Sequence, residues 1–238
     1  MRRLAAVGFG SAELTTHYSR LIAEEVRHRF GHRHQPNLIT LTLPTAHIAL
    51  AESLRSVRAL GAEAVILCSN FTCSSATEVI LPALSVYLPI TRALRASALR
   101  RVGLIGTREA SEENSWQAAL CAAGIPDVLL PVSSDRRHLV EICDREFSGG
   151  LVTEAARADV VRIVHSLKQA GARAVVVIAP ELTEVLHDSV PVLPVFDVCE
   201  HHALAAVDWM TVSTDSLRSG KPPRKTLAQS RGHESTHL

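Results

Sequence analysis

The sequence predicts an α/β fold made of two similar, doubly wound domains with parallel sheets. Short apolar runs without polar alternation recur along the chain, as strands that are covered on both faces require. Longer stretches with helical periodicity separate these runs, which is the order of a doubly wound fold. The chain also repeats itself: residues 61–70 read Gly-Ala-Glu-Ala-Val-Ile-Leu-Cys-Ser-Asn, and residues 171–180 read Gly-Ala-Arg-Ala-Val-Val-Val-Ile-Ala-Pro.

The apolar runs predict seven strands, at Leu4–Phe9, Leu38–Leu43, Ala64–Cys68, Val102–Gly106, Val128–Pro131, Ala174–Ala179 and Val192–Phe196. The periodic stretches predict six helices, at about residues 13–30, 46–60, 109–123, 136–147, 152–170 and 198–212. Two shorter motifs extend the repeat. The segment Val7–Ser11 is echoed at Val102–Thr107, and Leu88-Pro89-Ile90 is echoed at Leu193-Pro194-Val195.

The repeat predicts where the domains divide and where a ligand binds. We expect a first domain at residues 3–98 plus 198–212, a second domain at residues 99–197, and a polar, disordered tail at residues 213–238. Ligands of open α/β sheets bind outside the carboxyl ends of the strands. The two domains are therefore expected to be related by pseudo-twofold symmetry and to face each other across a ligand cleft. Ser69 and Ala179 occupy the paired positions at the two strand tips.

Composition excludes several classes of function. The chain has 238 residues, 47% of them hydrophobic, and a net charge of +1, which gives no general attraction to nucleic acid or to an anionic membrane. Its five cysteines form no CxxC pair, so we expect reduced thiols rather than disulfides or a metal site. The amino-terminal apolar run is too short for a signal peptide. We expect a cytoplasmic protein with no metal, no nucleic-acid partner and no membrane association.

Gly8 and Gly10 precede a predicted helix, as the glycines of a dinucleotide-binding loop do. The third glycine of that loop and a suitable acidic residue downstream are missing, which argues against a nucleotide site. His28, His32 and His34 are clustered in a polar helix end and loop, and this pattern favours surface residues over metal ligands. The sequence therefore predicts no bound cofactor.

Four segments spread over residues 3–210 carry the most specific pattern in the chain. They are Val7–Thr15, Leu67–Asn70, Val102–Arg108 and Val192–Asp197, the last followed by His202. They resemble, in this order, four motifs of the aspartate/glutamate racemase superfamily: the opening Gly-Gly-Met-Ser-Trp-Glu-Ser-Thr, the first catalytic strand end, the opening of the second half, and Pro-Val-Pro-Val-Phe-Asp with its downstream His. The resemblance implies a cofactor-independent enzyme that binds a small carboxylate or amino-acid-like ligand and forms a homodimer.

The resemblance also implies a mechanism whose reacting groups are missing here. Members of the family place a thiol on each face of the substrate α-carbon, so that one thiolate removes the α-proton and the other thiol supplies a proton from the opposite side. Ser69 stands at the first thiol position, and Ala179-Pro180 stands where the family has Cys-Thr. An alanine side chain has no proton to give, and an unassisted serine hydroxyl is a very poor base. We therefore expect no two-thiol racemisation.

The resemblance implies a carboxylate-binding site with altered acid–base groups. The residues expected to bind the substrate or to line its pocket are Ser11, Asn70, Phe71, Thr107, Ala179 and Pro180. Phe71 stands where the family usually has Thr and makes the pocket more apolar, which argues against a second carboxylate on the ligand. The candidate acid–base groups are Ser69, Cys73, Glu181 and His202.

Each candidate acid–base group also has a structural interpretation. Ser69 would line the pocket and donate a hydrogen bond, and Cys73, although close to a helix N-terminus that favours a thiolate, would be an inert thiol. Glu181 would cap the helix that follows it. His202 would orient a neighbour instead of relaying a proton. Cys68 is expected to be a buried thiol that points toward the covering helices, because strand side chains alternate between faces.

Three functions remain open at the level of sequence. The favoured one is an isomerase- or lyase-type enzyme that transfers a proton at the α-carbon of a small carboxylate, since Ser11, Asn70, Thr107 and Glu181 are retained together. The second is a catalytically silent protein that binds a small anion or regulates another protein, since both thiols are lost. The third is a structural partner of another enzyme through a homodimer-like face.

Overall fold

The computed structural model describes residues 1–10, 12–44, 50–68, 80–106, 115–145, 153–187 and 192–212. Within these ranges the strands are β1 (Leu4–Phe9), β2 (Leu38–Leu43), β3 (Ala64–Cys68), β4 (Arg101–Ile105), β5 (Asp127–Leu129), β6 (Val175–Val177) and β7 (Val195–Asp197). The helices are α1 (Ala12–Phe30), α2 (Leu50–Ala59), α3 (Tyr87–Ala96), α4 (Ser115–Ala122), α5 (Ser133–Arg145), α6 (Glu154–Gln169), α7 (Pro180–His187) and α8 (Val198–Thr211). None of these described helices has both the length and the apolar character of a membrane span. The predicted tail at residues 213–238 lies outside the described residues.

The strands form two parallel sheets. In the first sheet β1 lies between β2 and β3, and in the second the order is β5, β4, β6, β7. Every strand pair is parallel, for example Leu4 of β1 opposite Ala64 of β3 and Gly103 of β4 opposite Val175 of β6. The predicted α/β class with parallel sheets is therefore confirmed.

Helices cover both faces of each sheet, because successive side chains of a strand point to opposite faces. In the first sheet, Ala6 and Ile66 pack against α1 and α8, whereas Val7 and Val65 pack against α2. The second sheet is covered by α3 and α4 on one face and by α5, α6 and α7 on the other. The central strands are consequently apolar along their length, and polar groups are accommodated beyond the strand ends.

Two helices cross between the sheets. α8 follows β7 of the second sheet and packs against α1 of the first. α3 follows the three strands of the first sheet, yet its Ile90 and Leu94 lie in the core of the second sheet with Trp116. α3 therefore packs with the second sheet although it lies within residues 3–98, and the domain bounds remain a prediction. Neither α3 nor α7 was among the six predicted helices, because their short apolar segments contain prolines.

Hydrogen bonds correct one part of the predicted repeat. Leu88-Pro89-Ile90 lies in the first turn of α3, where a proline is tolerated because the N–H groups of that turn have no helical acceptor. The counterpart of Pro194 is instead Pro82. The carbonyl of Pro82 accepts from the N–H of Val65 at 2.8 Å, and the carbonyl of Pro194 accepts from the N–H of Val175 at 2.9 Å. Val65 and Val175 occupy equivalent positions in the ten-residue repeat.

The sheet registers also correct the predicted pairing of glycines. Val65 of β3 lies opposite Ala5 of β1. Val175, the equivalent residue of β6, lies opposite Gly103 of β4. The counterpart of Gly103 is therefore Ala5 and not Gly8. Three residues further along both strands, Gly8 corresponds to Gly106. A Val-Gly dipeptide in both strands suggested the wrong alignment.

Gly8 allows α1 to approach β1 closely. A Cβ atom at Gly8 would overlap the hydroxyl of Thr15 on α1. That hydroxyl is buried and accepts a hydrogen bond from the Thr42 hydroxyl at 3.2 Å. The glycine is thus required by packing between strand and helix.

Gly8→Ala is expected to lower the free energy of unfolding by about 1–3 kcal/mol, the range for an overpacked core position. Thr15→Ala removes the overlapping hydroxyl, so the double variant should lose less stability than the two single variants together. Urea unfolding of the four proteins measures this difference. Strictly additive losses would show that the Thr15 hydroxyl is not what restricts residue 8.

Candidate functional site

The structure describes four of the ten predicted site residues. These are Ala179, Pro180, Glu181 and His202. The other six lie outside the described residues, so their roles remain predictions: Ser11, Ser69, Asn70, Phe71, Cys73 and Thr107. The described part of the site is formed by the chain beyond β6, the end of β7, and the first turns of α1, α7 and α8.

The repeated strand of the second half leads directly into α7. The chain continues from β6 through the buried Ala179, which is 1% exposed, and α7 begins at Pro180. Proline suits the first helical position because its fixed φ fits the helix and its missing N–H is not needed there. The carbonyl of Ala179 accepts from the N–H of Leu182 at 3.2 Å. Glu181 is therefore held in the first turn of α7.

Glu181 is a half-buried carboxyl group in an acidic environment. Burial is the largest cause of its raised pKa, and the carboxylates of Glu13, Glu184 and Asp197 act in the same direction. A hydrogen bond from its own backbone N–H opposes these effects only in part. Glu13 belongs to the first turn of α1, so α1 and α7 lie within electrostatic range of each other. A carboxyl group of this kind can both hold and release a proton at the end of the strand.

His17 lies one turn beyond Glu13 on the same side of α1. The guanidinium of Arg20 can only donate hydrogen bonds. Its Nη2 lies 3.3 Å from Nδ1 of His17, so Nδ1 is the acceptor. The proton of the neutral ring is then on Nε2, which is buried and has no acceptor among the described residues. Burial lowers the pKa of His17, and the nearby carboxylates of Asp197 and Glu184 counteract this in part.

Asp197 joins the two halves at the point where the chain leaves β7. Its side chain is the N-cap of α8: Oδ1 accepts from the N–H of Cys199 at 2.6 Å and from the N–H of Glu200 at 3.2 Å. These bonds satisfy two of the unpaired donors of the helix and fix its first turn. His201 is stacked on Phe196 at 5.8 Å between ring centroids, and burial lowers its pKa.

His202 is buried between three elements. Nε2 lies 3.1 Å from the carbonyl oxygen of Leu84, and Nδ1 lies 3.1 Å from the hydroxyl of Tyr18. Since a carbonyl only accepts, Nε2 carries the proton, and the Tyr18 hydroxyl donates to Nδ1. His202 is 1% exposed and Tyr18 is 2% exposed, and the two rings meet edge to face. Burial lowers the pKa of His202 to about 4, so the ring is neutral near pH 7.

Solved structures show which fold this arrangement belongs to. A candidate Asp/Glu racemase from Yersinia pestis is 24% identical and matches with a TM-score of 0.77 over 89% of this chain and 100% of its own. An aspartate racemase homologue from Pyrococcus horikoshii is 17% identical, with a TM-score of 0.71 over 89% and 100% of the two chains. The chain has the Asp/Glu racemase fold.

A third structure with this fold holds a ligand. Glutamate racemase from Francisella tularensis, solved in complex with D-glutamate, is 11% identical and matches with a TM-score of 0.62 over 94% of this chain and 84% of its own. At these identities the similarity shows the racemase fold and not the reaction. No family model matches the sequence.

In this racemase-fold chain the described buried thiols are not activated. Burial raises the pKa of Cys68 far above its ordinary value and also raises that of Cys199. The pKa of Cys143 is raised to about 12, mainly by burial and further by Glu181. Cys68 is buried in the cluster that contains Tyr18, which confirms the predicted thiol facing the covering helices. Among the described residues, no group of His, Cys, Asp or Glu has the arrangement of a metal site.

Sequence reasoning missed two residues of α1: Glu13, which contributes to the raised pKa of Glu181, and His17, which lies near Asp197 and Glu184. Glu13 and His17 are four residues apart, which is the spacing that places two side chains on one side of a helix. That spacing was visible in the sequence, but nothing in it showed that this side of α1 lies near α7. An electrostatic interaction between groups so far apart in the chain depends on the tertiary fold.

The buried imidazole of His202 is expected to make the protein less stable below neutral pH. Its pKa is about 4 in the folded protein and 6.5 for an ordinary histidine, so the unfolded chain binds more protons between these values. The free energy of unfolding contributed by this group should fall by roughly 3 kcal/mol as the pH drops through this window.

Urea unfolding of wild type and His202→Gln between pH 7 and pH 4 measures this contribution. The variant should show a shallower loss of stability, and the remaining slope should include His17 and His201, whose pKa values are also lowered. Identical pH dependence in the two proteins would assign the effect to other groups.

Proposed function

We propose that this racemase-fold chain is a cofactor-independent isomerase or lyase that transfers a proton at the α-carbon of a small carboxylate, with Glu181 as the acid–base group. The observation that carries this proposal is the raised pKa of Glu181 at the end of the repeated strand. General acid–base catalysis is most effective when the pKa of the group approaches the working pH. Burial and three neighbouring carboxylates move Glu181 in that direction.

The reaction we propose is one-sided. Ala179, at the position of the family's second thiol, has no titratable group, and Glu181 follows it by two residues. In the isomerase reaction the Glu181 carboxylate removes the α-proton, the planar carbanion turns its other face to the carboxyl group, and the proton returns with inversion of the α-carbon. In the lyase reaction the carboxyl form donates its proton to the carbanion left when a carboxyl group departs as CO₂. In either case a single proton moves between the carboxyl oxygen and the α-carbon, so a second acid–base group is not required.

We further propose that the ligand lies in a cleft between the two sheets and that Ser11, Asn70 and Thr107 bind its carboxylate. The effect of Glu13 on the pKa of Glu181 supports this location, since one group is on α1 and the other on α7. The D-glutamate bound to the Francisella enzyme makes that amino acid one reasonable probe. A homodimer and a cytoplasmic location remain part of the proposal.

A second candidate function is a silent protein that binds a small anion. The buried, unreactive Ala179 and the raised pKa values of the described buried thiols favour it. The two candidates differ in one measurable property. An enzyme of the proposed type exchanges the α-hydrogen of its ligand with solvent, whereas a binding protein holds the ligand without exchange.

Glu181→Gln is expected to reduce α-hydrogen exchange by about 10²–10⁴-fold, the contribution of a positioned general acid–base group. Exchange is followed by proton NMR in heavy water with alanine, lactate, aspartate, methylmalonate and both enantiomers of glutamate as probes. At pH 7 the variant should be at least as stable as wild type, because glutamine removes a carboxylate that burial and its acidic neighbours disfavour.

Glu184→Gln is the matched control, because Glu184 is exposed on the same helix and only adds to the effect of burial, the main cause of the raised pKa of Glu181. It should keep most of the wild-type exchange rate. If Glu181→Gln combined with Cys73→Ala exchanges as fast as wild type, Glu181 is not the acid–base group. If wild type binds probes but exchanges none of them, the binding protein is the better assignment.

A further inference from the structure

We propose that His202 is a positioning residue that fixes α1 and the segment 81–84 relative to α8, with its imidazole proton on Nε2. This proposal rests on the proposed function only where it concerns ligand binding. The hydrogen bonds from which it is argued all join described residues. His202 has a hydrogen-bond partner on each of the two elements that it joins.

The first connection runs to α1. The Tyr18 hydroxyl donates to Nδ1 of His202, and the two rings are perpendicular with centroids 5.6 Å apart. Tyr18 also packs in one cluster with Cys68 and Cys199, at the ends of β3 and the start of α8. α1 begins at Ala12, directly after Ser11, and Ser69 directly follows Cys68. The contact therefore involves the two elements that adjoin two predicted site residues, the ligand-binding Ser11 and the acid–base candidate Ser69.

The second connection runs to the chain that returns to the first sheet. Nε2–H of His202 donates to the carbonyl of Leu84, and the N–H of Leu84 donates to the carbonyl of Val65 at 2.9 Å. The N–H of Val65 in turn donates to the carbonyl of Pro82 at 2.8 Å. His202 thus closes a chain of hydrogen bonds from α8 through the segment 81–84 to β3. In the second half, the segment that corresponds to residues 81–84 is β7. Because β7 pairs with β6 as a strand of the sheet, no buried side chain is needed to hold it in place.

A positioning role fits the geometry better than proton relay. Both ring nitrogens have partners in the folded protein, and almost none of the side chain is exposed. The groups that face the ring are the Tyr18 hydroxyl and the Leu84 carbonyl, and neither is a base of useful strength near pH 7. A relay through His202 would have to pass through one of them. Loss of the bond to Tyr18 would instead loosen α1 relative to α8, and loss of the bond to Leu84 would loosen the segment 81–84.

Two variants separate the two hydrogen bonds. Glutamine can place an N–H donor near the position of Nε2, so His202→Gln should keep the bond to Leu84 and lose the acceptor for Tyr18. Asparagine can place a polar atom near the position of Nδ1, so His202→Asn should keep the bond to Tyr18 and lose the one to Leu84. Tyr18→Phe removes the same bond as His202→Gln from the other side. His201→Gln is the control, because His201 is the adjacent residue with no described role in either contact.

Amide hydrogen exchange followed by mass spectrometry measures the result on the protein alone. His202→Gln and Tyr18→Phe should speed exchange in the amino-terminal half of α1 by about tenfold, the change expected from one lost hydrogen bond. His202→Asn should speed exchange at residues 80–84 instead, and His201→Gln should change neither. The proposal is overturned if His202→Gln and His202→Asn loosen the same segment, or if both raise exchange uniformly across the first sheet.

Nitrogen NMR of the histidine rings tests the tautomer. Wild type should show a His202 ring that stays neutral, protonated on Nε2, down to about pH 5. A proton on Nδ1, or titration near the ordinary histidine value, would also overturn the proposal. Neither this measurement nor the amide exchange requires a substrate.

Turnover distinguishes this proposal from the proposed function. With the probe that wild type exchanges fastest, His202→Asn and His202→Gln should raise KM and leave the pH dependence of kcat unchanged, because Glu181 is still present. Loss of a limb of that pH profile would identify His202 as an acid–base group and refute the positioning role. If wild type exchanges no probe, the proposed function fails, while the amide and nitrogen measurements still decide the role of His202.

Discussion

The central strands of both sheets are covered by helices on each face, so nearly every side chain along them is buried in an apolar core. Backbone N–H and C=O groups in such strands must pair within the sheet, and there is little room for a polar side chain. Polar chemistry is therefore confined to the segments that leave the strands. Glu181 illustrates this, since it follows β6 by a few residues and lies at the start of the next helix.

The same burial determines how ionisable groups behave near that edge. The carboxyl group of Glu181 becomes easier to protonate, and the imidazole groups of His17, His201 and His202 become harder to protonate. Both shifts have one cause, the cost of removing a charge from water. Buried thiols follow the same rule, and the described ones at Cys68 and Cys199 are poor nucleophiles. Burial therefore makes the Glu181 carboxyl group easier to protonate and the buried thiols harder to ionise.

Much of the fold was predictable because its signals are local. The three strands of the first sheet have the bounds that the sequence predicts, since β1 and β3 are continuous apolar runs and the apolar residues of β2 are interrupted only by Thr40 and Thr42. Helix α3 was not predicted, since Leu88-Pro89-Ile90 was interpreted only as an echo of Leu193-Pro194-Val195, although a proline is compatible with a first helical turn. The wrong partner of Gly8 has a similar origin, since a shared dipeptide outweighed a register that only the paired strands reveal.

The sequence by itself determined the parallel α/β class, the strand that is repeated, and the alanine at the tip of its second copy, because each depends on residue type or short-range spacing. Tertiary structure alone decided that Glu13 lies within electrostatic range of Glu181, and that His202 joins Tyr18 to Leu84. These groups come from distant parts of the chain. Their distances, burial and protonation depend on how helices pack across two sheets, and no short pattern of residues encodes that packing.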